Sequence, residues 1–494
     1  MSQLPLLEQF AAIVGSSQVL TGPDTARYVI DGRGAGGATL AVVRPATTEQ
    51  VSAVVRACAE AQVRLIPQGA RTGLVGAGLP DDTGTAVVLS LERLNAILEI
   101  DAVNRSATVE AGALLSKLNE RAGRHGLFFP IDLGADPSIG GMVAANTGGA
   151  RLIRYGDVRR NLLALEVVLA DVQGTVVRLG APLWKNNAGL DLKQLWVGSS
   201  GSLGVVTGAT VALQPLPGAA VAALLAFENT RAVTDVLMAM EQAFGPMLSA
   251  FEGMSGAAIE AAIKHVPRVQ NPLSSVPPFA VLLEVSAGAA FGTDVLEERV
   301  ASVLEPFLGA ADAVVDAVID RNGGLWTLRH SIPEGLRASG RVVACDIALR
   351  RSDVMEFRED MRTTLAAECP GLIGHDFGHI GDGGLHFNLV WPHGSGEMPA
   401  GLGERARELI FSCVVQEYGG SFSAEHGIGP RNADWYSRFV PAPDRRLAGR
   451  VQRMLAPEQI GRVDFRGHDT WEPRPRDAGC QAAESSLRSC KRSR

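Results

Sequence analysis

A chain of 494 residues exceeds what one hydrophobic core supports, because single cores stop growing near roughly 250–300 residues, so two or three domains are expected. Hydrophobic residues make up 46% and charged residues 20%, which excludes a wholly disordered chain. A net charge of -7 argues against a nucleic-acid surface, and no apolar run reaches the roughly 18 residues of a membrane span, so a soluble cytoplasmic protein is expected. Cys58, Cys345, Cys369, Cys413, Cys480 and Cys490 form no C-x-x-C and no zinc-ribbon or iron–sulfur spacing; they read as free thiols of a reducing compartment.

From about residue 40, short apolar runs alternate with helical patterns. LAVVRP, TTEQVSAVVRACAEAQ and VRLIPQG follow one another, with Thr47 or Thr48 as a helix cap and Val51, Val54, Val55 and Cys58 at helical spacing, so the segment predicts a β-α-β unit. The next stretch, Pro67–Pro80 (PQGARTGLVGAGLP), holds Gly69, Gly73, Gly76 and Gly78; glycines there let successive amides converge on a phosphate oxygen. Two more segments share this character, PIDLGADPSIGGMVAANTGGARLIRYG at 130–156 and GSSGSLGVVT at 198–207. A single such loop reads equally well as a surface turn, but three are hard to explain as linkers.

Near PLPGAA, residues 215–220, the glycine density falls and a second pattern begins, with a helix in ENTRAVTDVLMAMEQAF and a strand in FAVLLEVSAG. Of nine histidines, five lie between 375 and 426 (His375, His379, His386, His393 and His426), where an even scatter would place about one. The run HFNLVW has strand character, and its period of two sends His386 and Asn388 to one face and Phe387 and Leu389 to the other. His379 sits on the Gly-rich turn FGHIGDGG and Glu425 with His426 on SAEHGIG; two imidazoles and a carboxylate suit Zn²⁺, Mn²⁺ or Fe²⁺ with positions left open. Taken singly, His375 and His393 read as ordinary core or surface histidines. Beyond Gly467 the chain is polar, Pro-containing and aperiodic, and is expected to be poorly ordered.

In order along residues 40–466, PQGARTGLVGAG, IGGMVAANTGG, RYGDV, KNNAGLDLKQLWVGSSGSLGVVT, HIGDGGLHFNL and EHGIG resemble the vanillyl-alcohol oxidase and p-cresol methylhydroxylase flavoproteins. Within them the resemblance is to the D-lactate, D-2-hydroxyglutarate and glycolate dehydrogenase branch. It implies an α+β chain: an FAD-binding domain of two subdomains at 1–217, a substrate domain at 218–420 whose antiparallel sheet caps the flavin, a segment at 421–466 completing the active site, and the tail 467–494. Pro67, Gln68, Gly69, Ala70, Arg71, Thr72, Gly73, Gly76 and Ala77 would hold the FAD pyrophosphate. Asp132, Gly140, Gly141, Asn146, Gly148, Gly149, Tyr155 and Gly156 would line the cofactor, with Ser199, Gly201, Gly204 and Val206 near its ADP portion. Residues 67–80 contain no histidine, so the FAD is expected to be non-covalent.

The same resemblance implies His379, His386 and Glu425 as ligands of a divalent metal, zinc being the first choice, Asn388 as a substrate contact, His426 as the catalytic base and Arg329 as the carboxylate clamp. The expected reaction takes a D-2-hydroxy acid (2-hydroxyglutarate, lactate or malate) to the 2-oxo acid: the metal polarises the hydroxyl, His426 takes its proton, and a hydride passes to the flavin. Electron-transferring flavoprotein or a quinone would reoxidise the flavin, and a homodimer is the expected assembly. Departures stand at Pro333 and Ala344, where close relatives carry Thr and Lys, and at Ser200, Ala70 and Ala77. Arg350, sharing strand parity with Ala344, is either a replacement cation or a solvated strand end. Two rivals share the fold: a non-redox FAD enzyme of the alkyl-dihydroxyacetone-phosphate synthase type, and a subunit of a glycolate oxidase complex. A nicotinamide dehydrogenase is disfavoured, because no G-x-G-x-x-G follows the first strand.

Overall fold

The computed structural model describes residues 4–31, 36–309, 314–320 and 323–465; the expected tail at 467–494 lies outside them. They divide into two compact units, one of residues 4–148, 156–216 and 425–465, the other of 149–155 and 217–424. The mixed helix and strand content is that of the expected α+β class.

In the first unit the strand Ala41–Val43, the helix Thr48–Ala61 and the strand Leu65–Gln68 form the β-α-β unit. Thr47 is the cap, its Oγ1 accepting from the Gln50 amide at 3.2 Å. Val51, Val54, Val55 and Cys58 are the buried face. The two strands do not touch: Val87–Ser90 runs parallel to both and lies between them. Parallel strands need a crossover connection, which the helix Thr48–Ala61 supplies here. A second, five-stranded sheet is antiparallel throughout and carries Leu162–Val168 beside Val205–Ala212. Aliphatic side chains from both sheets, Val54, Leu89, Val109, Val167 and Val211 among them, make one core.

The second unit is built on an eight-stranded antiparallel sheet. Its central strands Leu248–Ser255 and Phe279–Ala287 are buried at every residue. Strands covered on both sides admit a carboxylate only if it is paired. The helices Gly256–His265 and Gly324–Ser339 cover one face through Ile259, Ala262, Leu328, Ile332 and Leu336, against Met254, Leu282 and Phe377. Opposite this face, Phe387 meets Phe357 of the helix Val354–Glu368 edge-on at 5.5 Å. His386 and Asn388 therefore point to the side of Gly324–Ser339. Among the described residues no helix is long and apolar enough to cross a membrane, and Cys58, Cys345, Cys369 and Cys413 are buried free thiols.

Candidate functional site

The three Gly-rich segments meet in the first unit. The Ala70 amide donates to Ser138 Oγ at 3.3 Å, tying the first to the second. The Ser200 amide donates to the Ala144 carbonyl at 2.8 Å and the Gly198 amide to Val143 at 3.0 Å, tying the second to the third. Arg71 and Gly76 both adopt positive φ, 62° and 77°, which turns the loop's backbone at two points. Gln68 donates its side-chain NH₂ to the Tyr28 carbonyl at 2.8 Å and the Gly78 carbonyl at 2.7 Å, which leaves its Oε1 as the side-chain atom for a ligand. Asn146 is similarly engaged: its Nδ2 donates to Asp157 at 2.8 Å and its Oδ1 accepts from the Arg159 amide at 3.0 Å. Gly148 and Gly156 belong to this unit, whereas Gly149 and Tyr155, between them in sequence, belong to the other.

The EHGIG turn rests on the same loops. A Cβ on Gly429 would stand 2.4 Å from the Val75 carbonyl oxygen, so only glycine allows this approach. Arg431 clamps the contact, its Nη1 donating to the Leu74 carbonyl at 2.7 Å and its Nη2 to the Asp31 carboxylate. Asn432 closes the turn, accepting from the Gly429 amide and donating to the Gly427 carbonyl, each at 2.8 Å. Glu425 and His426, both half-buried, are thus presented from a turn braced on the Pro67–Gly78 loop.

In the second unit His379 follows the strand Ile373–Gly378, and His386 lies in Gly384–Pro392. The connecting turn wraps onto His379: the amides of Asp382, Gly383 and Gly384 all donate to its carbonyl, at 3.0, 3.1 and 3.1 Å. Gly383 has φ +95° and a Cβ there would lie 2.1 Å from the Leu349 oxygen, so the turn depends on it. The result brings the imidazoles of His379 and His386 to 5.3 Å between ring centroids, with a nitrogen of one within 4.8 Å of a nitrogen of the other. Asn388, buried on the same strand face as His386, stands opposite His375 in the sheet.

Each imidazole has a carboxylate at Nδ1. Asp346 is His386's cross-strand partner, and its Oδ1 lies 3.6 Å from Nδ1, an ion-pair distance too long for a hydrogen bond. Glu252 Oε1 lies 2.6 Å from His379 Nδ1. A carboxylate only accepts, so the shared proton assigns the N–H to Nδ1 and directs Nε2 away from the carboxylate. Arg329 donates from Nε to the other Glu252 oxygen, Oε2, at 2.8 Å, and its Nη2 lies 2.7 Å from the same oxygen as an ion pair. Burial alone would raise the Glu252 pKa, but His379 and Arg329 outweigh it and hold the carboxyl down to about 2.

The comparisons with known proteins follow this geometry. Residues 39–180 match the FAD binding domain family, and residues 216–460 match the C-terminal domain of FAD linked oxidases. A D-2-hydroxyglutarate dehydrogenase of Xanthomonas citri pv. viticola is 35% identical over 441 residues, 87% of this chain and 90% of that protein. The solved structure of p-cresol methylhydroxylase with bound substrate has a TM-score of 0.71 at 16% identity, covering 92% of this chain and 94% of the other. An alkyldihydroxyacetonephosphate synthase reaches 0.68 at 15% identity, over 93% and 84%. The chain is an FAD-linked oxidase of the D-2-hydroxy acid dehydrogenase branch.

As a member of this family the chain binds FAD, and its residues fit the cofactor. Ser199 Oγ and Gln68 Oε1 are buried without a hydrogen-bond partner, at the two ends of the loop cluster, where a polar ligand would satisfy them. In the FAD-linked oxidase's second unit Arg329 lies inside the helix Gly324–Ser339, buried, with Pro333 one turn on. Arg350 is the solvated alternative: it sits past the strand Asp346–Ala348, its side chain is 77% exposed, and it pairs with Asp353 at 2.8 Å, so it does not replace the cation missing at Ala344. Val343 opposite Leu389 and Asp346 opposite His386 keep one register, which sets Ala344 opposite Asn388.

Sequence reading missed Glu252, Asp346 and Arg431. Glu252 carried a usable signal, a single carboxylate inside the apolar strand LSAFEGMS, which must be paired if the strand is central. Asp346 and Arg431 carried none, being ordinary charged residues near a strand start and a turn.

Proposed function

We propose that this FAD-dependent enzyme oxidises a small D-2-hydroxy acid with the help of a divalent metal held by His379, His386 and Glu425, zinc being the best match to that donor set. The observation that carries the reading is the pair of imidazoles in the second unit, each with a carboxylate against Nδ1. The hydrogen bond at His379 is the arrangement in which a metal-binding histidine is fixed in tautomer and orientation, and at His386 the Asp346 carboxylate stands at ion-pair distance. Support for the third ligand comes from the chain itself: the Ala424 amide donates to Asp346 Oδ2 at 3.1 Å, and Glu425 is the next residue.

When bound, FAD supplies the hydride acceptor, and the metal supplies Lewis acidity at the substrate hydroxyl. The chain's own residues do the rest. Neutral His426 takes the hydroxyl proton, Arg329 pairs with the substrate carboxylate through donors that Glu252 leaves free, and Asn388 donates to a substrate oxygen. The substrate is 2-hydroxyglutarate, the acid named for the Xanthomonas relative, or the shorter lactate or malate. Absence of a histidine in residues 67–80 supports a non-covalent flavin. Electron-transferring flavoprotein or a quinone as acceptor, a cytoplasmic setting and a homodimer complete the reading. The non-redox synthase shares the fold, so the fold does not separate the two; the histidine cluster favours oxidation.

The test is spectroscopic. The purified protein is titrated anaerobically with the D- and L-forms of 2-hydroxyglutarate, malate and lactate and with glycolate, before and after chelation. Loss of the flavin band near about 450 nm with one D-acid, only with metal present, is the expected result. A yellow protein that no hydroxy acid bleaches would overturn the proposal.

A further inference from the structure

Glu252 reaches two functional arms at once. Its Oε1 takes the His379 Nδ1 proton at 2.6 Å, and its Oε2 takes the Arg329 Nε donor at 2.8 Å with Nη2 at an ion-pair distance of 2.7 Å. The side chain is 1% exposed and comes from the middle of a central strand, so neither oxygen has water as an alternative partner. The arms it joins are far apart in the chain, 127 residues to His379 and 77 to Arg329. The Arg329 guanidinium also lies 4.7 Å above the Phe377 ring, whose centroid is 5.2 Å from that of His386. Glu252, His379, Arg329, Phe377 and His386 thus form one contiguous packed set.

Resting on the functional reading above, we infer that Glu252 is a positioning residue that couples metal retention to substrate-carboxylate binding. It touches neither ligand. It fixes the His379 tautomer so that Nε2 faces away from the carboxylate, and it fixes the Arg329 guanidinium by two nitrogens, so that the remaining edge is held for an anion. Neither arm can change orientation without releasing a hydrogen bond to the same carboxylate. The neighbouring strand supplies a control. Glu284 is also buried and also holds the helix Gly324–Ser339, through Trp326 Nε1 at 2.8 Å, but its cation is Arg151 and it touches neither His379 nor Arg329.

The experiment compares Glu252→Gln, Glu284→Gln and His379→Ala in the purified holoenzyme. Bound Zn²⁺ is counted and its retention measured against a graded chelator, flavin content is read from the visible spectrum, and kcat and KM are separated with the best D-acid. Gln offers one acceptor oxygen and an NH₂ that faces a donor, so it cannot serve both partners. Glu252→Gln is expected to weaken Zn²⁺ retention 10- to 100-fold, the usual cost of losing such a partner, and to raise KM with the flavin still bound. Glu284→Gln should leave Zn²⁺ retention and KM unchanged. Zn²⁺ retention and KM both at wild-type values in Glu252→Gln would overturn the inference; so would equal losses in Glu284→Gln, which would reduce the effect to helix docking. If His379→Ala keeps its Zn²⁺, the metal assignment itself fails, a different result from the loss of Zn²⁺ in His379→Ala with none in Glu252→Gln. Should Glu252→Gln not fold, Glu252→Asp keeps the buried charge but is one methylene too short for both arms. It must then change Zn²⁺ retention or KM, and if it changes neither the inference falls.

Discussion

Glu252 and Glu284 stand on adjacent central strands of one sheet, face one helix and use the same chemistry, yet they hold different things. Glu284 receives Arg151 through both oxygens at 2.8 Å, Ser249 Oγ at 2.6 Å and the Trp326 indole at 2.8 Å. Every partner there is a hydrogen-bond donor. Glu252 receives an arginine and the imidazole of His379. Two carboxylates with equal claims to be structural are therefore separated by where their clusters lead: one runs through the Trp326 indole to His330, the other through His379 to His386, with ring centroids 5.3 Å apart in each.

The largest effects should come from cutting that continuation. His386→Ala is expected to lower kcat/KM for the best D-acid by about 10³-fold or more, because it removes a ligand for the group that polarises the hydroxyl. Flavin content should stay at the wild-type level, since the loops proposed to hold FAD lie in the other unit. Steady-state rates together with metal analysis check this, and a variant retaining both metal and rate would break the contrast between the two clusters.

Next in size is the stability carried by Glu284. Its replacement by Gln leaves Arg151 without its counter-ion and should cost about 3 kcal/mol in urea unfolding. Burial pushes the Glu284 pKa up, but the hydrogen bonds and charge of Arg151, with Ser249 and Trp326, outweigh it and hold the folded value below the ordinary range. A depressed folded pKa means that the contribution is present above the unfolded carboxylate value of about 4.3 and is lost as pH falls through the folded value. Wild type and Glu284→Gln should therefore differ most near neutrality and converge in acid. A gap that widens as the pH drops would contradict the assignment.

These two expectations also show what a sequence conceals. The first unit was readable because glycine dictates backbone: three Gly-rich segments stood out as loops, and they are tied together where the Ala70 amide reaches Ser138 and the Ser200 amide reaches the Ala144 carbonyl. The histidines were readable because five of them crowd into one stretch, and strand alternation put His386 and Asn388 on one face. Arg329 was found by resemblance, but its partner was not, because an ion pair across 77 residues leaves no local pattern. Only the rule that a charge in a doubly covered strand needs a partner could have flagged Glu252 and Glu284, and it names no partner. Strand order was equally hidden: nothing in LAVVRP or VRLIPQG announces that Val87–Ser90 lies between them.

A smaller effect tests the cofactor side of the contrast. Ser199→Ala removes a buried hydroxyl that lacks a partner within the protein. If FAD satisfies that hydroxyl, its loss should weaken FAD binding by about tenfold, one hydrogen bond's worth, and leave the metal untouched. Titration of the apoprotein with FAD reads it directly. Unchanged affinity would remove Ser199 from the cofactor site.

The smallest expected change is at Pro333. Proline has no N–H, so the Arg329 carbonyl four residues earlier lacks its helical partner, and the helix carries an interior proline directly beyond the arginine that Glu252 holds. Pro333→Thr restores that N–H and adds a hydroxyl where close relatives carry one. Because Glu252 already fixes the Arg329 guanidinium from the sheet side, the arginine should not move, and only the reach of the site toward a second carboxylate should change. KM for D-2-hydroxyglutarate should fall a few-fold relative to D-lactate, about 1 kcal/mol of discrimination or less, with kcat unchanged. An equal change for both acids would instead mean that Pro333 acts by shifting Arg329, and that Glu252 does not hold the arginine as firmly as the Nε hydrogen bond and the Nη2 ion pair imply.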